Sequence, residues 1–249
     1  MVTLSRTFLE AIPGDAILLF AAPGIGNVGK LVIDGLVQQF RPPIVFSVTD
    51  PDLPPHAMKD EHDSLRCPAL RVHLISGEKS FLVATCQAQP MSPSGQHRLA
   101  LALRQKAKEW RVKGILVLVG MSADPGDHDL LLLGPSKDDR EWLSNIGATP
   151  SERWPEAGMI GMAAWMATLG EFDEIPTACI VASSVGGTVD LEGARRLHEQ
   201  IEKMFDVKLP IERSTEKSLA ERVEQLIEAL DESEDMSGSS SAPQIDLYL

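Results

Sequence analysis

The sequence predicts an α/β fold in which a mostly parallel sheet is covered by helices on both faces. Apolar, strand-like runs alternate along the chain with stretches of helical periodicity, which is the pattern of an α/β domain. The run at 114–120, GILVLVG, is apolar without interruption, as expected of a central strand that is covered on both faces. With 249 residues, 43% of them hydrophobic, the chain is long enough to form one large domain.

The N-terminal half predicts a strand–helix–strand unit that is followed by a hairpin. The strand-like runs 16–22 and 43–48 bracket a helix-like stretch, VGKLVIDGLVQQF. The runs 69–75 and 80–86 are separated by a short segment that contains the turn residues Ser-Gly, which indicates a hairpin. A helix is expected at about 96–111, where apolar residues recur at helical spacing.

Residues 121–184 are expected to form a long surface loop, two helices and a strand. Residues 121–137 contain Pro and Gly at several positions and include the tetrapeptide LLLL, a candidate short strand. Ser136 followed by Asp139 resembles a capping box and predicts the start of a short helix. A helix rich in small residues is expected at 157–170, and a buried strand at 177–184.

Two further helices are predicted before the C-terminus. The helix at 190–205 is expected to begin after Asp190, a residue type that is favoured as an N-cap. The stretch at 215–230 carries a narrow apolar stripe on a highly charged helix, which favours packing against a partner or another subunit.

The chain is therefore expected to contain three parts. Residues 1–210 form an α/β globular domain, and residues 211–231 form an amphipathic C-terminal helix. Residues 232–249 form a flexible acidic tail, because the Ser/Gly-rich, acidic composition after the helix lacks the apolar content needed for order.

The charge and the cysteine content exclude several classes of protein. A net charge of −13 argues against nucleic-acid binding and against attraction to anionic lipid, and −7 of it lies in residues 215–249. Three scattered cysteines are too few for a disulfide framework, and no metal site is predicted. No apolar run approaches the roughly 18 residues of a membrane span. We expect a soluble, cytoplasmic protein without a bound cofactor.

One segment, AILLFAAPGIGNVGKLVIDGL at 16–36, matches the dinucleotide-binding pattern G-x-G-x-x-G. Gly24, Gly26 and Gly29 supply the glycines between a strand and a helix, where backbone N–H groups can receive a pyrophosphate. Asp50 follows Gly29 by 21 residues and could bind a ribose. An NAD-type dinucleotide-binding enzyme is thus one hypothesis.

The same segment also matches G-x-x-x-x-G-K, but two features oppose a nucleotide-hydrolysing P-loop. Lys30 is followed by Leu31, so the hydroxyl that should hold Mg²⁺ is missing. The strand GILVLVG ends without the Asp that would orient the metal. The remaining alternative is that the glycines only allow the strand and the helix to pack closely. From the loop alone, dinucleotide binding and a structural role both stay open.

The order of several segments resembles the proteasome assembly chaperone family, of the type shared by eukaryotic and archaeal members. GIGNVGKLVIDGLV is similar to the opening motif of the family, KGILVLVGMSAD to its central strand and following loop, and PEAGMIGMAAWMATLGEFDEIPTACIVASS to its Gly-rich helix and next strand. The resemblance spans roughly residues 15–230. It implies a nucleoside phosphorylase-like sandwich without known catalysis, a structural role for the glycine loop, and a homo-oligomer in an archaeal-type member. The same fold analogy leaves a phosphorylase-like or hydrolase-like enzyme as a third hypothesis.

The last three residues supply an independent argument. Leu247, Tyr248 and Leu249 fit the ending hydrophobic–Tyr–X, which resembles the tails with which proteasome activators and some assembly chaperones dock between α subunits. A terminal carboxylate can pair with a lysine while the Tyr ring stacks and Leu247 fills an apolar recess. The sequence thus predicts a non-enzymatic chaperone or binding factor for the proteasome core particle, with the α subunits as its partners.

Overall fold

The computed structural model describes residues 3–59, 64–155, 158–221 and 223. Within these residues the chain forms strands and helices in alternation, and residues 213–221 are also helical. The strands are β1 (Leu4–Thr7), β2 (Ile17–Phe20), β3 (Ile44–Thr49), β4 (Met58–Lys59), β5 (Leu65–Arg66), β6 (Leu70–Ile75), β7 (Phe81–Thr85), β8 (Gly114–Ser122), β9 (Leu130–Leu133) and β10 (Thr177–Ser184). The helices are α1 (Val28–Phe40), α2 (Pro93–Glu109), α3 (Lys137–Asn145), α4 (Gly161–Thr168), α5 (Gly170–Asp173) and α6 (Leu191–Phe205).

Eight of the strands form one sheet in the order β1-β3-β6-β7-β2-β8-β10-β9, and β4 and β5 form a separate small hairpin. The predicted α/β fold is confirmed, with its hairpin at β6–β7 and a short strand at the LLLL tetrapeptide. The sheet is less parallel than expected. The three pairs β7–β2, β2–β8 and β8–β10 in its centre are parallel, and the other pairs are antiparallel. The hairpin connection and the short outer strands reverse the chain direction towards both edges.

Both faces of the sheet are covered, as the uninterrupted apolar strands predict. Leu18 and Phe20 of β2 face the core beneath α2 and α4, whereas Ile17 and Leu19 face the core beneath α1, α3 and α6. This alternation follows from the two-residue period of a strand. It makes β2 and its neighbour β8 the buried centre of a three-layer sandwich.

Three helices begin at residues whose side chains satisfy the first backbone N–H groups. The Ser136–Asp139 capping box at α3 is confirmed, and Asp190 caps α6 by accepting a 2.8 Å bond from the Gly193 N–H. Ser92 caps α2 in the same way and accepts a bond from the Gly95 N–H. Because of this cap, α2 begins at Pro93 rather than at residue 96 as predicted.

The helix predicted at 157–170 is shorter and is divided in two. Gly158 and Gly161 both have a φ of +71°, in the left-handed region, so the chain enters α4 only at Gly161. The chain then continues almost directly from Thr168 into the short helix α5. Residue 157, where the helix was predicted to begin, lies outside the described residues.

The helical segment 213–221 packs on the face that carries α1 and α6. Arg195 of α6 binds the Glu216 carboxylate at 2.8 Å, and the side chains of Leu219 and Val223 are buried in the core of that face. The predicted helix at 215–230 is thus described only as far as Val223. The tail expected at 232–249, including Leu247, Tyr248 and Leu249, lies outside the described residues.

Candidate functional site

The glycine loop connects β2 to α1 and contains two consecutive left-handed residues. Gly26 has a φ of +59° and Asn27 a φ of +48°, within a short 3-10 turn, Ile25–Asn27, that precedes α1. A Cβ on Gly26 would lie 2.5 Å from Ser184 Oγ, which is closer than real side chains approach. Gly26 is therefore required both by its backbone conformation and by the neighbouring β10 residue.

The third glycine of the motif is required by the packing of α1 on the sheet. A Cβ on Gly29 would overlap the backbone carbonyl of Leu118 in β8. From the strand side, a Cβ on Gly120 would overlap the carbonyl of Ile25 in the loop. The backbones of the glycine loop and of β8 thus lie so close together that no side chain fits at Gly29 or at Gly120.

Hydrogen bonds tie the glycine loop to two neighbouring loops of the same chain. Gln89 Nε2 donates to the Pro23 carbonyl at 2.6 Å, and the Asp190 N–H donates to the Gly26 carbonyl at 2.8 Å. Asn27 Nδ2 donates to the Thr188 carbonyl at 2.9 Å. The loop is therefore fixed by contacts that do not involve any ligand.

The start of α1 is covered by the protein itself. Residues 26–30 are all buried. Val28 packs so closely against α6 that a Cβ on Gly193 would overlap the Val28 side chain. Lys30, which a P-loop would use to reach phosphate, is buried and binds the Asp34 carboxylate at 2.7 Å, one turn along the same helix. A phosphate group would have to displace these contacts to reach the helix N-terminus, where such groups normally bind.

The structure does not bring Asp50 to the glycine loop. Asp50 follows β3, and the strands β6 and β7 lie between β3 and β2, which separates them by about 14 Å across the sheet. The Asp50 carboxylate is occupied by Arg98, whose Nε and Nη2 donate at 2.7 and 2.8 Å. These bonds from Arg98 hold the pKa of Asp50 below its usual value, although burial opposes the shift. The acidic residue expected to bind a ribose is thus part of an internal ion pair.

The loop at 121–137 is held by an ion pair and by hydrogen bonds to other parts of the chain. Arg153 binds the Asp129 carboxylate at 2.7 Å, and Ser183 Oγ donates to the carbonyls of Asp127 and Asp129. Arg196 Nη1 lies 3.3 Å from His128 Nδ1. Nowhere in the described part of the chain do three or more His, Cys, Asp or Glu side chains converge as a metal site would require.

The two buried cysteines offer no activated nucleophile. Burial raises the pKa of the Cys86 and Cys179 thiols to about 12, so both remain protonated at neutral pH. Cys86 lies in the core beneath α2, as does Cys179 in β10. Both cysteines lie within apolar stretches of the sequence, which accounts for their burial.

One polar group of the core was missed by the sequence reasoning. Arg104 of α2 is fully buried, and its Nε and Nη2 each donate to the Asp173 carboxylate at 2.6 Å. Nη1 donates to the Met166 carbonyl at 2.5 Å and to Thr177 Oγ1 at 3.1 Å. The arginine thereby joins α2, α4, α5 and the start of β10. The only signal in the sequence is a charged residue on the apolar side of a helix.

The chain is a helix-covered α/β protein in which the glycine loop and the start of α1 lie buried against the sheet. Across the described segments, no helix is long and apolar enough to cross a membrane. The chain belongs to the PAC2 family, whose model matches residues 18–233. The resemblance to proteasome assembly chaperones is thus confirmed at the level of the family.

Relatives with this fold occur in archaea and bacteria. The uncharacterized protein MJ1210 of Methanocaldococcus jannaschii is 23% identical over 218 residues, which cover 87% of this chain and 83% of the relative. Among solved structures, Pyrococcus furiosus PbaB, an archaeal proteasome activator, is similar with a TM-score of 0.74 and 16% identity, over 92% of this chain and 98% of that one. Pyrococcus furiosus PbaA, an archaeal homolog of proteasome-assembly chaperone, has a TM-score of 0.70 and 18% identity, over 92% and 99%.

A bacterial member of the same fold is more distant. The Mycobacterium tuberculosis proteasome-assembly chaperone homologue Rv2125 is similar with a TM-score of 0.60 and 15% identity, over 93% of this chain and 99% of that one. At these identities the structural similarity establishes the shared fold. The family match establishes that this chain is a homologue of proteasome assembly chaperones.

Proposed function

We propose that this chain is a non-enzymatic chaperone or binding factor for the proteasome core particle that acts on the α subunits or the immature α ring. The observation that carries the proposal is the combination, in one chain, of a PAC2 match over residues 18–233 with the ending Leu247-Tyr248-Leu249. The similarity in fold to an archaeal proteasome activator and to an archaeal assembly-chaperone homolog is consistent with it.

In this proposal the terminal residues are the docking site. Tyr248, the only tyrosine of the chain, anchors the tail by stacking its ring and by a hydrogen bond from its hydroxyl. The Leu249 carboxylate pairs with a lysine of an α subunit, and Leu247 fills an apolar recess. Capture of a C-terminal carboxylate is a recurring mode of peptide recognition.

The body, residues 1–210, and the helix, 211–231, hold the tail at a defined place. The ion pair between Arg195 and Glu216 and the burial of Leu219 attach the helical segment to the α1/α6 face. Beyond that helix, the acidic linker 231–244 acts as a flexible tether with a root-mean-square reach of about 20 Å. The tail 232–249 therefore searches for α subunits close to one face of the body.

The absence of catalysis is the second part of the proposal. The glycine loop is filled by its own chain, Asp50 is paired with Arg98, and the buried thiols are protonated at neutral pH. The contacts made by Lys30 and Asp50 within the chain do not favour the dinucleotide-binding or phosphorylase-like alternatives. Gly26 and Gly29 are proposed to serve the close packing of the loop and α1 on the sheet, whereas a Cβ at Gly24 would meet only the Ala22 carbonyl, at 4.0 Å.

We further propose that the protein is a cytoplasmic homo-oligomer. In this proposal several copies of the body present several tails to one α ring at once. Linked binding events of this kind raise the overall affinity far above that of one tail, without any new contact.

The proposal is tested by capture of purified proteasome α subunits on immobilised full-length protein and on a variant that lacks residues 247–249. Capture is expected with the full-length chain and is expected to be lost with the truncated one. Replacement of Ser239 by Ala, in the linker, is the matched control and is expected to change nothing. Equal capture by the truncated and the full-length chain would contradict the tail mechanism.

A further inference from the structure

Near the β1 edge of the sheet, helices cover one face only. Phe46 and Val72 point into the core beneath α2, whereas the core beneath α1, α3 and α6 contains no residue of β1 or β3 and, from β6, only Ile75 at its end. The side chains that β1, β3 and β6 direct to this second side are exposed or half-buried and mostly polar, as in a sheet face that meets solvent. We call this part of the sheet the open face, and its residues are Arg6, Ser47, Thr49, Arg71 and His73.

A row of paired residues crosses the open face. Arg6 of β1 is paired with Ser47 of β3, and Ser47 is paired with Arg71 of β6. Paired residues of neighbouring strands point to the same side of a sheet, and the strands lie about 4.8 Å apart, so the Cα atoms of the two arginines are about 10 Å apart. The serine hydroxyl lies between two long cationic side chains. The row can therefore offer hydrogen-bond donors to one carboxylate, or to two that are close together.

Neither arginine of the row binds a carboxylate within the residues that the structure describes. Arg6 is exposed, and its guanidinium stacks over the Phe8 ring at 4.7 Å from the centroid. Arg71 is half-buried and donates to the Cys67 carbonyl at 2.7 Å and to Gln87 Oε1 at 3.4 Å, which are both neutral acceptors. Burial lowers the pKa of Arg71, as expected of a guanidinium whose charge is poorly compensated.

Two acidic side chains on elements that flank the open face are bound elsewhere. Asp34, the only acidic residue of α1, binds Lys30 at 2.7 Å. Glu10, which follows β1, lies 3.8 Å from Lys106 of α2, on the other side of the sheet. The acidic turn at 60–63 lies outside the described residues. Among the described side chains, the positive charge of the row is thus not neutralised.

This uncompensated charge is unusual in so acidic a chain and favours an acidic occupant. The sequence has 36 Asp and Glu against 23 Lys and Arg, and other arginines, such as Arg98 and Arg104, do bind carboxylates of the chain. A guanidinium matches a carboxylate with parallel hydrogen bonds. One exposed ion pair contributes little, whereas a peptide segment can present linked carboxylates to both arginines at once. Because β1 is an edge strand, such a segment can approach Arg6 from the side of the molecule.

We propose that the open face binds an acidic segment of a partner protein, whose carboxylates bind Arg6 and Arg71 above Ser47. The inference goes beyond the proposed function and does not rest on it, since it uses neither the C-terminal residues 247–249 nor the α1/α6 face. It gives the chain a second protein contact, separate from the tail.

The test is fluorescence anisotropy of labelled peptides titrated with the full-length protein at about 20 mM salt, where charges are weakly screened. One peptide carries four consecutive glutamates between glycines, and the other carries four glutamines in their place. The net charge of −13 repels the glutamate peptide, so saturable binding requires a local positive site. We expect the glutamate peptide to bind at least tenfold more tightly than the glutamine peptide. No saturable binding, or equal affinity for the two, would overturn the proposal.

A pair of variants with equal net charge locates the site. Ser47→Glu places a carboxylate of the chain itself between the two arginines and is expected to lower the affinity for the glutamate peptide at least tenfold. Ser5→Glu on β1 is the matched control, because Ser5 is exposed and is paired with Val48, which points to the other side of the sheet. It is expected to keep the wild-type affinity to within about twofold. Equal affinities in the two variants would overturn the proposal.

Removal of one cation gives a readout that leaves the interior of the sheet unchanged. Arg6→Gln alters an exposed side chain and is expected to weaken binding of the glutamate peptide at least threefold. Arg111→Gln, at an exposed position after α2, removes the same charge elsewhere and is expected to have no effect. An unchanged affinity in Arg6→Gln would contradict its role in the row.

Other occupants of the open face give different results. Displacement of the peptide by an equal concentration of inorganic phosphate would indicate a site for free anions and overturn the proposal. A tenfold gain in peptide affinity, when the acidic side chains at 60–63 or at 231–235 are replaced by amides, would identify the chain itself as the occupant and also overturn it. Unchanged affinity in both cases supports a partner. None of these measurements uses α subunits, so the docking tail and the open face can fail independently.

Discussion

Arg104 and Asp173 form a two-bond ion pair across the core, with both N–O distances at 2.6 Å, although 69 residues separate them in the sequence. The arginine is fully buried and fixes α5 against α2. The same guanidinium donates to Thr177 Oγ1 and so also holds the start of β10.

Replacement of Arg104 by Met is expected to lower the free energy of unfolding by about 3 kcal/mol, because it leaves the partner carboxylate without its cation. The measurement is urea denaturation at pH 7 followed by circular dichroism. Lys108→Met, one turn further along α2 at an exposed position, is the control and is expected to change the value by less than about 0.5 kcal/mol. A similar small change for Arg104→Met would show that the buried pair contributes little.

Replacement of Gly29 by Ala is expected to destabilise the protein by about 2 kcal/mol, since the new methyl group would overlap the Leu118 carbonyl and push α1 away from β8. Gly14→Ala is a suitable control, because a Cβ at Gly14 meets nothing within 4 Å. Thermal unfolding of the two variants side by side makes the comparison. If Gly29→Ala is tolerated as well as Gly14→Ala, α1 does not pack as closely as the structure indicates.

The glycine loop is expected to bind no dinucleotide. Isothermal titration of the wild-type protein with NAD or NADP at millimolar concentration should give no saturable heat, because residues 26–30 are buried by the chain itself. Gly26→Val is expected to reduce stability by at least about 2 kcal/mol through its left-handed backbone and its contact with Ser184. Saturable binding that disappears in Gly26→Val would instead restore the dinucleotide hypothesis.

The ion pair of Asp50 with Arg98 predicts a specific dependence of stability on pH. The pKa of Asp50 is lowered in the folded protein, so the pair contributes stability that is fully present above the ordinary Asp pKa of about 4 and is lost as the pH falls through the folded value. Asp50→Asn is therefore expected to be less stable than wild type by about 2 kcal/mol at pH 7. The difference is expected to shrink below about pH 4. Urea midpoints for both proteins at pH 7, 5 and 3.5 check this, and a difference that stays constant down to pH 3.5 would contradict it.

The parts of the fold that depend on local sequence could be predicted. The β6–β7 hairpin, the Ser136–Asp139 capping box and the N-cap at Asp190 each involve residues that are close in the chain. The uninterrupted apolar run at 114–120 also predicted that β8 is an inner strand of the sheet, since such a run requires cover on both faces.

The parts of the fold that depend on contacts between residues far apart in the sequence could not be predicted. Asp50 lies 21 residues after Gly29, as a dinucleotide site requires, but the insertion of β6 and β7 between β3 and β2 removes it from the loop. Neither the Arg98 partner of Asp50 nor the Asp173 partner of Arg104 follows from any spacing. The role of the glycine motif could not be decided from the sequence either, because close packing and phosphate binding both require glycine.

The most direct test of the central claim is the dissociation constant of the full-length protein for purified α subunits, compared with that of Tyr248→Ala. Fluorescence anisotropy with a labelled α subunit measures both, and Tyr248→Phe separates the ring from the hydroxyl. We expect binding to weaken at least tenfold in Tyr248→Ala, with an intermediate loss in Tyr248→Phe. An unchanged dissociation constant in Tyr248→Ala would contradict the claim that the chain acts on the proteasome through its C-terminal tail.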